Sequence, residues 1–283
     1  MNQNAEAPAS AVRHIEENLA GRLDLSDVAA STNYSKHYLH RRFSQDAGMT
    51  MGDYISRRRL TEAAKMLVFT DWPVLDIAVS VGFGSQQAFS AAFKRMFKKT
   101  PGQYRAAEEF WPLQSRLRLE GAALRGADLS VRFAHPSDRS DWMALLDQVV
   151  DGYPHLDETE YLTHLDRAMA RCEALVCEAD GRMVGALAFS REEGTIDFMG
   201  VLPPVRGRGV SKALLAAALG ELSSRVEVVS TTTFREGDAA DTGWRAELLS
   251  LGFAEAELLV EFGYPTQRLI VSRDALREAC DAE

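Results

Sequence analysis

Two stretches of the chain, DVAASTNYS (Asp27 to Ser35) and DIAVSVGFGS (Asp76 to Ser85), carry one pattern twice. Each runs Asp, a β-branched residue, Ala, three more residues, then Asn33 or Gly82 followed by an aromatic. Val28 and Ile77 set the inward face of a short helix. Asn33 and Gly82 stand where that helix must stop, and both residue types tolerate a left-handed backbone. Ser35 and Ser85 are then N-caps for a following helix. Leu39 and Phe43 in the first copy, Phe89 and Phe93 in the second, recur at a spacing of four and make one inward stripe each. Helix, tight turn, helix is the helix-turn-helix signature. The two copies are joined by MGDYISRRRLTEAAKML, itself a helical run.

These stretches, with YISRRRLTEAAKML and the closing KKTPGQYR, resemble the DNA-binding domain of the AraC/XylS transcription-regulator family over residues 8–105. The resemblance implies an all-α double helix-turn-helix domain. One polypeptide would lay two recognition helices into successive major grooves of double-stranded DNA, one helical turn or ~34 Å apart. The residues agree. Lys36, His37, His40 and Arg41, after Ser35, fall opposite Leu39 and Phe43 and can donate to base edges or phosphates. Gln86 and Gln87, after Ser85, can each form a bidentate pair with adenine, and Ser90 a weaker polar contact. Lys94, Arg95, Lys98 and Lys99 suit phosphates. Of Arg57, Arg58 and Arg59, one is expected at phosphate and the others in surface ion pairs. The family often carries arginine four residues after the position of Gln87; here it is Ala91, so fewer contacts are expected from the second helix.

Charge separates the halves. Residues 1–110 hold 14 Lys and Arg against 12 Asp and Glu, whereas residues 111–283 hold 18 against 29. A DNA-reading module joined to an acidic domain fits this split. No apolar run approaches the ~18–20 residues of a membrane helix. The N-terminal MNQNAEAPAS lacks the order of a secretory signal, so a cytoplasmic, nucleoid-associated protein is expected. Cys172, Cys177 and Cys280 match no common zinc or redox spacing and read as packing or surface thiols, with no metal site expected. Residues 106–128 are expected to form a linker with one short helix.

After Leu129 the periodicity changes. LSVRF alternates as a strand, and residues 137–170 suggest one or two amphipathic helices. EALVCEADGRMVGALAFS reads as a hairpin around Asp180-Gly181, and TIDFMGV as a strand. VEVVSTTTF follows as a buried strand, then GWRAELLSLGF as a helix ending at Gly252, with strands near 258–262 and 268–272. This is an α/β (α+β) pattern. Within it, LPPVRGRGVSKALLAAAL places glycines between a strand and a long apolar helix. Gly207 and Gly209 let the backbone approach a ligand, and the free N–H groups of Arg208, Gly209, Val210, Ser211 and Lys212 favour an anion. Arg206 adds a charged donor. A tight turn with a surface arginine is the plainer alternative.

Arg206-x-x-Gly209-x-Ser211 after FMGVLPP resembles the coenzyme A loop of the GNAT acyltransferase superfamily, over residues 129–273, with 274–283 expected as a tail. The resemblance implies a mixed, mostly antiparallel central sheet and acetyl-CoA or another acyl-CoA held by the loop amides, with Met199 and Val201 on the preceding strand. Ser211 departs from the usual Gly or Ala. Many members of this superfamily use a strand carboxylate as base and a helix tyrosine as acid. Asp197 is the available carboxylate, near the splayed centre of such a sheet; a solvated edge charge is the equal alternative. Leu248 stands where the tyrosine is expected. Tyr264 follows later, and Tyr153, Pro154 and His155 are expected near the acceptor.

Two functions follow. One is a transcription regulator whose GNAT-like domain binds acetyl-CoA or a small effector, with RNA polymerase as a further partner and no membrane association. The other is a bifunctional protein that also acetylates a small amine. A GNAT-like fold that has lost coenzyme A is a third.

Overall fold

The computed structural model describes all residues except 1, 2, 22, 24, 120–123, 125, 150–157, 262 and 283. They form two compact units, residues 3–119 in the first and 124–149 with 158–282 in the second. None of the described helices is long and apolar enough to cross a membrane.

The first unit is helical: α1 (Gln3–Glu17), α2 (Leu25–Thr32), α3 (Lys36–Ala47), α4 (Met51–Phe69), α5 (Val74–Ser80), α6 (Gln86–Phe97) and α7 (Pro101–Ala106). Both repeats fold as their residues dictate. Asn33 turns at φ +58° and Gly82 at φ +84°. Ser35 accepts from the Tyr38 N–H at 3.3 Å and Ser85 from the Ala88 N–H at 3.2 Å, so α3 and α6 each start on a side-chain cap. Leu39 and Phe43 lie in one core with Val28, Met51 and Tyr54. In the second copy Phe89 and Phe93 are fully buried, and Phe93 stacks on Phe97 with centroids 4.4 Å apart.

The arginine run departs from expectation: none of the three is a surface ion-pairing or phosphate-facing side chain. Arg57 is buried. Arg58 donates to both Glu16 carboxylate oxygens at 2.9 Å, to Glu62 and to the Gln114 carbonyl. Tyr54 donates to the same Glu16 at 2.7 Å. Burial, then the Glu16 charge, holds the Tyr54 hydroxyl far above its ordinary range. Arg59 donates to the carbonyls of Leu19 and Gly21. A charge run on a long helix reads as a solvated face, but α4 is covered on several sides and has little such face.

The segment after α7 is also more than a linker, and residues 107–119 hold no helix. Tyr104 donates through its hydroxyl to the Trp111 carbonyl and accepts from the Trp111 N–H at 3.0 Å. Thr61 accepts from the N–H groups of Leu113 and Gln114, and the Tyr54 hydroxyl accepts from the Leu117 N–H. Leu117 and Leu119 complete the core around α1 to α3.

The second unit is a seven-stranded sheet, β1 (Leu129–Phe133), β2 (Ala174–Ala179), β3 (Arg182–Phe189), β4 (Thr195–Val201), β5 (Val228–Phe234), β6 (Ala254–Glu261) and β7 (Tyr264–Ser272), in the order β1-β2-β3-β4-β5-β7-β6. All pairs are antiparallel except β4 with β5. Asp180 and Gly181, both at positive φ, close the β2–β3 hairpin. One face carries α8 (Arg139–Val149) and α9 (Glu158–Ala170), with Trp142, Leu145, Leu165 and Met169 against Val176 and Ala186. The other carries α10 (Val210–Glu221), α11 (Trp244–Ser250) and α12 (Arg273–Asp281). Two glycines bring helices onto the sheet: a Cβ on Gly185 would lie 2.6 Å from Val210, and one on Gly200 2.6 Å from Val149. The expected tail is α12, capped by Ser272 and anchored by fully buried Leu276, with Cys280 four residues on against the same core.

Because Leu117 and Leu119 belong to the helical core, Leu117→Ala and Leu119→Ala should each destabilise the first unit by about 2–4 kcal/mol. Chemical denaturation measures this; changes below about 0.5 kcal/mol, as at an exposed linker, would contradict the packing.

Candidate functional site

The exposed face of α3 presents Lys36, His37, His40 and Arg41, and that of α6 presents Gln86, Gln87, Ala91 and Lys94, with Ser90 half-buried. The stripe that buries Leu39 and Phe43, or Phe89 and Phe93, turns these residues outward. Lys36 donates to Ser26 at 3.3 Å. The side chains of His37, His40, Arg41, Gln86, Gln87, Ser90 and Lys94 have no hydrogen-bond or ion-pair partner among the described residues. Donors left unpaired on two helix faces are what groove reading requires. Two of the lysines expected at phosphates are engaged elsewhere. Lys98, the left-handed C-cap of α6, donates to the Arg95 carbonyl at 2.9 Å, and the Lys99 ammonium sits 4.9 Å from the Trp111 ring centroid. Lys94 and Arg95 remain outward.

In the second unit the parallel contact of β4 with β5 is short. Thr195 pairs with Ser230 and Ile196 with Thr231, and from Asp197 to Val201 β4 has no partner residue on β5. On the other edge, Ala188 pairs with Phe198 and Phe189 with Ile196, so Asp197 is the extra residue of a β-bulge. The bulge sits where the two strands part. Met199 and Val201 lie beyond it, and the chain then passes through Pro203–Val205 into the glycine loop.

Gly207 and Gly209 have φ of +70° and +80°, and a Cβ on either would meet nothing within 4 Å. Gly209 is the N-cap of α10 and supplies no side-chain bond. The first intrahelical bond runs from the Ala213 N–H to the Gly209 carbonyl at 2.8 Å. The N–H groups of Val210, Ser211 and Lys212 thus lack intrahelical acceptors. Arg206 and Arg208 flank the loop. Arg206 donates through Nε to the Val201 carbonyl at 3.2 Å and reaches Thr242. Ser211 is buried, and its hydroxyl donates to Glu247 rather than facing the loop. Lys212 directs its ammonium to the Ala282 carbonyl at 2.6 Å. The loop thus joins two left-handed glycines, uncrowded at their Cα atoms, to a helix start with unsatisfied main-chain donors, a combination that suits an anion.

Asp197 reaches solvent, yet its surroundings desolvate it and push its carboxyl above the ordinary range. Glu193 and Glu173 add repulsion, while a 2.9 Å hydrogen bond from Thr195 and the charge of His164 oppose the rise. Leu248 is buried in the core and brings no hydroxyl. Tyr264 donates to both Asp238 carboxylate oxygens at 3.0 Å and packs edge-on against Phe234 at the end of β5. That is the end of β5 toward which β4 and β5 part. Tyr153, Pro154 and His155 lie outside the described residues. Asp238 and Thr242 carry one sequence signal, the loop REGDAADTGW, where Gly237 and Gly243 both take positive φ; Glu247 lies on α11 beside Leu248. Among the described residues no cluster of three or more His, Cys, Asp and Glu is placed to hold a metal ion.

Comparison with known proteins agrees with this division. A helix-turn-helix domain family matches residues 28–107, and the acetyltransferase (GNAT) family matches residues 142–242. The HTH-type transcriptional activator AarP of Providencia stuartii is 45% identical over 94 residues, 33% of this chain and 70% of AarP. Regulatory protein SoxS of Escherichia coli (strain K12) is 45% identical over 91 residues, 32% of this chain and 85% of SoxS. A GNAT-family acetyltransferase structure from Bacillus cereus ATCC 10987 is 14% identical and covers 51% of this chain and 97% of its own, with a TM-score of 0.40. The chain belongs to the AraC-type helix-turn-helix transcription regulators through its first unit and carries a GNAT-family domain as its second.

The desolvating surroundings raise the Asp197 carboxyl although it touches solvent, so the folded chain holds that proton more tightly than the unfolded chain does. The group then costs stability once pH exceeds the unfolded value, ~3.9. Asp197→Asn should stabilise the second unit at pH 7, with the gain fading toward pH 3. Thr195→Val, which removes the hydrogen bond that favours the charged form, should raise the Asp197 midpoint further. Carboxyl-carbon NMR titration of the two chains checks both signs; an unshifted or lowered Asp197 midpoint would contradict them.

Proposed function

We propose that the chain is a sequence-specific DNA-binding transcription regulator whose GNAT-family domain binds acetyl-CoA, or another acyl-CoA, and whose DNA affinity responds to that ligand. The observation that carries the ligand reading is the open glycine loop at the start of α10, next to a β4 edge that β5 leaves unpaired. These residues fit the group. The amides from Gly207 to Lys212 would hold its pyrophosphate, Arg206 and Arg208 would add charge, and Met199 and Val201 would offer main-chain groups along β4. Bound, acetyl-CoA supplies an activated thioester.

On the DNA side, Arg41 suits guanine O6 and N7, and Gln86 and Gln87 suit adenine N6 and N7. Ser35 and Ser85 hold the helix starts near the backbone, and Lys36, His37, His40, Ser90 and Lys94 supply further donors. RNA polymerase is the partner a regulator of this type would engage.

A second reading, a working N-acetyltransferase acting on a small amine, is supported by Asp197. A desolvated carboxyl at the strand bulge, beside Glu193 and Glu173, suits the removal of a proton from a cationic amine. The Tyr264 hydroxyl, held by Asp238, is the candidate proton donor in place of the absent helix tyrosine. A small-molecule effector in place of coenzyme A is the remaining alternative.

Calorimetry with acetyl-CoA should give saturable binding that Gly209→Glu abolishes, because the new side chain sets a carboxylate in the cradle at a strained φ. No heat with the wild-type chain would defeat the coenzyme reading. Release of free thiol with a panel of amines, lost in Asp197→Asn, would select the enzyme over the pure sensor. DNA affinity with and without acetyl-CoA measures the coupling, which linkage makes reciprocal.

On operator DNA, Arg41→Ala should cost about 1–3 kcal/mol and relax base preference at one position. Lys94→Ala should weaken all sequences alike and reduce the slope of log affinity against log salt by about one. Titrations at three salt concentrations separate the two; identical behaviour would remove the distinction between base and phosphate readers.

A further inference from the structure

Arg59 lies at the middle of α4, between two halves that pack on its ends. Met51, Tyr54 and Ile55, in the first part of the helix, share a core with α1, α2 and α3. At the far end, Ser80 of α5 contacts Met66 at 3.6 Å and Arg105 of α7 donates to the Leu67 carbonyl at 3.1 Å. From between them the Arg59 guanidinium reaches both halves. Its Nε donates to the Leu19 carbonyl at 3.0 Å and its Nη2 to the Gly21 carbonyl at 2.6 Å, on the chain that leaves α1. The same group lies against the turn of the second repeat: a Cβ on Gly82 would come within 2.8 Å of Arg59 Cζ and 2.9 Å of Nη2. Gly82, at φ +84°, is the turn that aims α6.

We propose that Arg59 is a positioning residue that braces the first helix-turn-helix unit against the turn of the second. It thereby fixes the half-site spacing the chain accepts. The proposal rests on α3 and α6 being the two DNA-reading helices. A planar guanidinium can fork to two carbonyls while its carbon centre packs on a glycine; a lysine ammonium has neither the fork nor the plane. One base pair inserted between half-sites displaces the second by about 3.4 Å and turns it by about 35°, so spacing tests the brace directly.

A duplex selected from random sequence by the full-length wild-type chain serves as probe, together with versions that have one base pair inserted or deleted between half-sites. Affinity for each is measured with the wild-type chain, Arg59→Ala, Arg59→Lys and Gly82→Ala, alongside thermal melting. The wild-type chain should lose about tenfold or more on respacing. In Arg59→Ala the loss should shrink to about threefold or less, with Arg59→Lys between the two. Gly82→Ala, whose methyl group displaces the guanidinium, should shift the ratio the same way and serves if Arg59→Ala does not fold. If the arginine only supports the fold, melting temperature falls and all three duplexes weaken by one factor; an unchanged spacing ratio in the variants overturns the proposal. A wild-type chain indifferent to spacing defeats the two-helix reading itself, a different result from an unchanged ratio.

Discussion

A helix begins with N–H groups that its own backbone cannot satisfy, and this chain meets that constraint in two ways. Hydroxyl side chains cap α3, α4, α6, α7 and α12, through Ser35, Thr50, Ser85, Thr100 and Ser272. In the first unit these caps set where α3 and α6 start, and hence which residues face outward. In the second unit α10 and α11 start at left-handed glycines. For α11 the neighbouring Asp241 stands in, accepting from the N–H groups of Gly243 and Arg245. At α10 the glycine loop stays open in front of the first turn. The same physics that closes α3 and α6 leaves this one available to an anion.

The first unit turns on α4, where charge is used inside the fold. Arg58 bridges Glu16 on α1, Glu62 on its own helix and the carbonyl of Gln114, and Tyr54 shares Glu16. Breaking one partner of such a pair leaves an uncompensated buried charge, which is why the group ties α1, α4 and residues 111–117 together. Exposed cations without a partner among the described residues include Arg41 on α3 and Lys94 on α6. With its arginines held in structure, α4 leaves the unpaired outward donors of this unit's two turns on α3 and α6.

Local chemistry was legible in the sequence, and long-range chemistry was not. The turn residues Asn33 and Gly82, the caps Ser35 and Ser85, the Asp180-Gly181 hairpin and the glycine loop are all set by neighbours within a few positions, and each folds as its residue type requires. Arg58 and Arg59 read as surface because charge is usually solvated, yet Glu16, Gln114, Leu19 and Gly21, which they bind, are 38 to 56 residues away. Residues 107–119 read as a linker because the Thr61 hydroxyl that anchors them is invisible to any local window. The C-terminal residues read as a tail because a stripe made only of Leu276 and Cys280 is too short to announce a packed helix. In the candidate coenzyme site, the loop was legible but its surroundings were not. Ser211 turns to Glu247 and Tyr264 to Asp238, contacts that only the arrangement of β5, β7 and α11 creates.

Gly at an N-cap costs only a few tenths of a kcal/mol relative to Ser or Asn, so the missing cap on α10 would not by itself call for a ligand. The argument lies in coincidence at one end of one sheet. The strands part after two residue pairs, a bulge places Asp197 at the fork, and two left-handed glycines face open space. An edge strand that merely ended there would need none of these features, and a tight turn would need only one glycine. A pyrophosphate on the amides with a chain-like arm along the unpaired β4 edge would use all of them, and Asp197, a carboxyl that its surroundings make reluctant to ionise, stands at that fork.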